Sequence, residues 1–129
     1  MKPNEFVENT IGENQNFTLP ETHQTLRDLV RKFAEAEIAP VARQLDKDER
    51  FSEALTRDMG KLGLFGIVIP EEYGGHGMDY LASAIALEEI ARVDCSQVGT
   101  VTAHNSLGIG PIYYFGNATQ EIHSPALYR

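Results

Sequence analysis

The chain has 129 residues, 42% of them hydrophobic, and a formal net charge of −8. That length gives one domain with one modest core, the apolar share excludes a disordered chain, and the acidity excludes general electrostatic binding of nucleic acid or an anionic membrane. Cys95 is the single cysteine, so no internal disulfide can form, and no run of about 20 apolar residues exists to span a membrane.

Residues 1–16 are rich in Asn and Glu, show no periodicity and read as a flexible lead-in. They hold neither the apolar run of a secretory signal nor the Arg-rich, acid-poor pattern of a mitochondrial presequence, so the expected location is cytoplasmic. Thr18 and Glu21 stand at capping-box spacing and predict a helix start there. Leu26, Leu29, Val30, Phe33 and Ile38 then share a face, and Pro40 is expected to end that helix. Val41–Glu49 reads as a short second helix with Leu45 inward. Ser52 is the expected cap of a third, which carries Leu55, Met59 and Leu62 on one stripe and stops at Gly63. Leu64–Ile69 is too short for a helix and reads as a buried connector. A glycine loop follows at Tyr73–Gly77. Asp79 then caps a fourth helix to about Val93, with Leu81, Ala84, Ile85, Leu87 and Ala91 as its apolar members. The fifth runs from about Ser96 to Tyr113, kinked or frayed near Pro111. Asn117 and Gln120 mark the start of a sixth segment. Helix follows helix with short connections, so the expected class is all-α, an up-and-down bundle of five to six helices.

One stretch sets the functional question. From Cys95 to Gln120 there is no Asp, Glu, Lys or Arg. A helix without charge has no face suited to water and must be covered by something. On it, Thr100, Ala103, His104 and Leu107 share a face at steps of three, four and seven. For His104 a satisfied core histidine and a cavity wall stand as equal alternatives.

The remaining candidates favour bland readings. Gly74-Gly75-His76-Gly77 lacks the Lys of a Walker loop and the preceding strand of a dinucleotide fingerprint, so a tight turn is expected. Glu71-Glu72 and Glu88-Glu89 are adjacent pairs whose members diverge by about 100° on a helix, which makes solvated faces the expectation. His23, His76, His104 and His123 have no second ligand at i+4 spacing and there is no Glu-x-x-His, so no metal site is expected. His23 is placed at the surface. Cys95 reads as a small hydrophobe near a helix start.

Three stretches carry a resemblance. Asn16-Phe17-Thr18-Leu19, Leu26-Arg27-Asp28-Leu29-Val30-Arg31-Lys32-Phe33 and Glu37-Ile38-Ala39-Pro40 open the first. Leu62-Gly63-Leu64-Phe65-Gly66-Ile67-Val68-Ile69-Pro70-Glu71-Glu72-Tyr73-Gly74-Gly75-His76-Gly77 forms the second. Ala103-His104-Asn105-Ser106-Leu107, Pro111-Ile112, Phe115-Gly116-Asn117 and Gln120 form the third. Together, in order and spacing from residue 16 to about 129, they resemble the amino-terminal helical domain of acyl-CoA dehydrogenases.

The resemblance implies an FAD-dependent parent enzyme that dehydrogenates an acyl-CoA thioester and passes electrons to an electron-transfer flavoprotein. In that family a β-domain and a carboxy-terminal helical domain follow, and both are expected to be absent from residues 17–129. The family's catalytic glutamate comes from the carboxy-terminal part, so no catalytic residue is assigned here. The fifth helix of the family lines the acyl cavity, which assigns Thr100, Ala103, His104 and Leu107 to substrate binding. His104 is bulkier than alanine, which favours a short or branched acyl group. Flavin-binding residues are not assigned, and these residues alone are expected to bind FAD poorly and to be inactive. A homo-oligomer is expected. The alternatives are a relative such as an acyl-CoA oxidase or flavin monooxygenase, or a stand-alone helical interaction module without chemistry.

Overall fold

The structure, a computed structural model, describes residues 18–117 and 119. Six α-helical segments follow in order: α1 (Glu21–Phe33), α2 (Ala39–Lys47), α3 (Glu53–Lys61), α4 (Tyr80–Ala91), α5 (Cys95–Ala103) and α6 (Gly110–Phe115). Among the described residues there is no strand. The all-α class is as expected. The segments, however, join into four rods. A π-turn over Ala34–Ile38 fuses α1 to α2, and another over His104–Ile109 fuses α5 to α6.

Pro40 and Pro111 therefore do not end helices. Each sits at the start of the segment after a π-turn, in the matching runs Ile38-Ala39-Pro40 and Ile109-Gly110-Pro111. The Ala39 amide donates to the Ala34 carbonyl five residues back, and Ile38 and Ala39 keep helical dihedrals. Proline removes an amide and crowds the carbonyl four residues earlier. A wider turn relieves both constraints and lets the chain run on.

The predicted start at Thr18 is also corrected. The helix begins at Glu21 with Pro20 in the N-cap position and no side-chain cap. The extended ψ of Pro20, 151°, delays the first helical residue beyond the one the box requires. The predicted caps at Ser52 and Asp79 are present: Ser52 Oγ accepts from the Leu55 amide at 3.2 Å, and Asp79 Oδ1 from the Ala82 amide at 2.8 Å. At the far end of α3, Gly63 has φ +75°. The Leu64 amide donates to Met59 O and the Gly63 amide to Gly60 O. That double bond pattern closes a helix and needs a residue able to adopt left-handed dihedrals.

The core joins α1 (Val30) and the π-turn after it (Ile38) to α3 (Met59), the connector (Leu64, Ile67), α4 (Ala82, Ala86, Ile90) and α5 (Val101). Small residues at Ala34, Ala82 and Ala86, all at 0% exposure, let backbones approach closely. The apolar members of α4 do not all face inward. Ala82, Ile85, Ala86, Glu89 and Ile90 are buried, while Leu81, Ala84 and Ala91 face out. The segment is apolar nearly all round, so periodicity does not select a face. The lead-in at 1–16, His123 and the box residue Gln120 lie outside the described residues.

Candidate functional site

The α5–α6 rod presents two contrasting sides. Asp94 starts it by accepting from the Ser96 amide at 2.9 Å. Gln97, Val101, Ile109 and Gly110 turn into the fold. Outward stand Ala103, exposed, and Leu107, 77% exposed. Thr100 and His104 are half-buried between these sides. The His104 ring rests on Phe65, with centroids 4.7 Å apart and planes tilted by 51°.

No described cavity gathers the four residues. Thr100 lines a groove against α2 with Arg43, Arg50 and Phe51. A separate cavity of about 360 Å³ lies between α4 and α6, lined by Val68, Tyr80, Ser83, Asn105, Tyr114 and Phe115. At its mouth the Tyr80 and Tyr114 hydroxyls hydrogen-bond to each other. That bond, helped by burial, holds the Tyr80 hydroxyl above the ordinary phenol range. No Asp, Glu, Lys or Arg stands on this rod, and its outward side suits a neutral tail.

The ionisable chemistry lies elsewhere, and two of its members were missed in the sequence. Glu89, expected on a solvated face, is 1% exposed. It accepts from Arg31 Nε at 2.9 Å and Nη2 at 2.8 Å, and from Arg92 Nη1 at 2.7 Å. The Arg31 bond holds its carboxyl below the usual range against the opposing effect of burial, and Arg92 adds to the lowering. His23, expected at the surface, is 8% exposed, and its Nε2 lies 2.8 Å from Asp79 Oδ1. The Ala82 amide first, and His23 second, hold Asp79 below the usual carboxylate range. Both clusters fasten α1 to α4. Among the described residues no group of His, Cys, Asp and Glu could hold a metal ion, and no helix is long and apolar enough to cross a membrane.

The glycine loop does not fit a flavin pyrophosphate. The amides of Gly74, Gly75, His76 and Gly77 already donate to Glu71 O, Pro70 O, Gly66 O and Ile69 O. A phosphate cradle needs such amides free. At Gly75 a Cβ would lie 2.1 Å from Ile69 O, so glycine there serves close backbone approach.

The profile of the acyl-CoA dehydrogenase N-terminal domain family matches residues 20–123. The chain belongs to the acyl-CoA dehydrogenase family. It is similar to the mitochondrial short-chain specific acyl-CoA dehydrogenase of Mus musculus, at 50% identity over 108 residues. That alignment covers 83% of this chain and 26% of the mouse protein. An acyl-CoA dehydrogenase of Bacillus subtilis is 42% identical over 97 residues, covering 75% of this chain and 26% of its own length. Among solved structures, butyryl-CoA dehydrogenase from Megasphaera elsdenii superposes with a TM-score of 0.83 at 30% identity, over 88% of this chain and 30% of that one. A chain in a structure concerned with the electron transferring flavoprotein of Acidaminococcus fermentans gives 0.84 at 38% identity, with the same coverage. This acyl-CoA dehydrogenase N-terminal domain thus spans about a quarter of the length of the curated relatives it matches.

Proposed function

We propose that this domain forms the acyl-facing wall of an FAD-dependent enzyme that dehydrogenates an acyl-CoA thioester between its α and β carbons. The observation that carries the reading is the outward side of the α5–α6 rod, uncharged in sequence and with Leu107 77% exposed. An acyl tail is neutral and gains from leaving water against such a surface. In this reading Thr100, Ala103, His104 and Leu107 contact the tail. FAD, when bound, supplies the acceptor for the hydride; the described residues offer it no cradle, so its contacts fall in other parts of the longer protein. The base that removes the α-proton is assigned there as well, because the family's catalytic glutamate comes from the carboxy-terminal part and this face carries no carboxylate.

The substrate class follows from bulk and from kinship. The ring of His104 shortens the space along the face, which favours a short acyl group. The similarity to a short-chain specific enzyme and to a butyryl-CoA dehydrogenase supports the same class. An electron-transfer flavoprotein is the proposed electron acceptor, supported by the similar chain in the Acidaminococcus fermentans structure. Association of the parent into a homo-oligomer is supported by the exposed apolar side chains Leu107, Tyr114 and Phe115.

The test uses the full-length protein. It is expected to purify with a flavin absorbance that bleaches when butyryl-CoA is added without oxygen. A protein that carries no flavin, or whose flavin no acyl-CoA reduces, would contradict the reading.

A further inference from the structure

The π-turn His104–Ile109 interrupts the candidate face between Ala103 and Leu107. A side-chain amide bonds that turn to the connector. Asn105 Nδ2 donates to the Leu64 carbonyl at 2.8 Å and to the Val101 carbonyl, four residues back, at 2.9 Å. Two carbonyl acceptors fix which end of the amide faces them, since the amide oxygen could serve neither. The amide oxygen itself is buried without a partner, so the donor end accounts for all the hydrogen bonding of this side chain.

The neighbouring contact acts in parallel. His104 rests on Phe65, so two adjacent residues of the turn grip two adjacent residues of the connector. Leu64 is 1% exposed and Phe65 6% exposed, which makes the connector a fixed anchor. An Asn amide bonded to the carbonyl four residues back also competes with the helix's own ladder, a local influence that favours a widened turn.

The geometry has a consequence for the face. A π-turn holds one more residue than an α-turn, so the helix beyond it is rotated by about 100° relative to a straight α-helix. Thr100 and Ala103 precede the turn, and Leu107 lies within it. The angle between these two halves depends on whether the turn stays wide.

We propose that Asn105 is a positioning residue: by pinning the π-turn to Leu64 it sets the angle between the Thr100–Ala103 half of the face and Leu107, and thereby the preferred acyl length. This rests on the acyl-facing reading above. Asn105 needs no contact with the substrate, because it acts through the direction of its neighbours.

The test uses the full-length protein with Asn105→Leu, which keeps the branching and removes the donors. Asn105→Asp, matched in shape, replaces it where the first variant gives no cooperative melt. Hydrogen exchange of residues 62–69 and 104–110, followed by mass spectrometry, reports the pin without reference to activity. Both segments are expected to exchange faster together, by about tenfold, while α1 is unchanged. The ratio of kcat/KM for butyryl-CoA to that for octanoyl-CoA reports positioning. It is expected to change by about fivefold or more, whereas Ser106→Ala, which loses only a bond to Thr102 O, leaves it unchanged. Unchanged exchange in the connector, or equal slowing of both substrates with the ratio kept, would overturn the proposal. If the protein turns over no acyl-CoA, the functional reading falls, and the exchange measurement alone decides the pin.

Discussion

Glu89 shows how much a single buried charge can organise. Its carboxylate is 1% exposed and receives three hydrogen bonds from Arg31 and Arg92. Removing it leaves those guanidinium groups facing a void at the α1–α4 contact. Glu89→Ala is expected to cost roughly 2–3 kcal/mol in urea unfolding, toward the lower end for a broken buried pair because the arginines reach water. The acid limb follows from the same groups. Glu89 and Asp79 are both held below the ordinary carboxylate range in the folded protein. Their contribution is therefore complete above their unfolded pKa of about 4, and is lost as pH falls from there through the lowered folded values. Melting temperature against pH should drop along that limb, and more shallowly in Glu89→Ala. Little of this was legible in the sequence. Glu88 and Glu89 are neighbours of identical chemistry, and only the rotation of α4 against Arg31 separates them. A clue lay in spacing, with Arg27 and Arg31 four apart on α1, and Glu89 on α4 three residues before Arg92 at its C-cap. His23 escaped for a similar reason, since its partner Asp79 lies 56 positions away.

Three helix caps, unlike the box at Thr18, were legible because their chemistry is local. Ser52, Gly63 and Asp79 each act within a few residues of themselves. The π-turn before Pro40 stands where proline predicts a helix end, and the one before Pro111 where it predicts a kink or fray. Yet the buried residues Val30, Ala34 and Ile38 repeat at steps of four, and so do Gln97, Val101, Asn105 and Ile109, the third of these half-buried. Steps of four drift by about 40° each on an α-helix, so a long run of them leaves the core unless a wider turn removes the drift. That pattern, followed by proline, is the signal that was available. The glycine loop yields a sharper prediction. Gly74 has φ +87° but open space around it, whereas a Cβ at Gly75 would strike the Ile69 carbonyl. Gly74→Ala should cost about 1 kcal/mol from left-handed strain alone. Gly75→Ala should cost about 2 kcal/mol or more, because backbone must shift. Thermal melts of the two variants give the order directly, and equal losses would refute the distinction.

For the whole molecule, the resemblance made fold and family legible, since motifs in order and spacing carry more than periodicity can. The placement of the candidate face was legible only in part. Thr100, Ala103, His104 and Leu107 lie on one rod, but the π-turn changes the angular relation that α-helical spacing predicts, and nothing in the sequence around Asn105 signals its bond to Leu64. Leu107, Tyr114 and Phe115 on that rod are large apolar side chains exposed to solvent, the kind of surface that association covers. The 129-residue chain is therefore expected to self-associate with rising concentration in sedimentation velocity, and a clean monomer throughout would show that the patch needs no cover. The central claim, that this uncharged side of the rod meets an acyl tail, is tested most directly by His104→Ala in the full-length enzyme against acyl-CoAs of graded length. Removing the ring should raise kcat/KM for longer chains relative to butyryl-CoA by about tenfold, the discrimination that a change of pocket size commonly gives. A chain-length profile identical to that of the unaltered enzyme would contradict the claim.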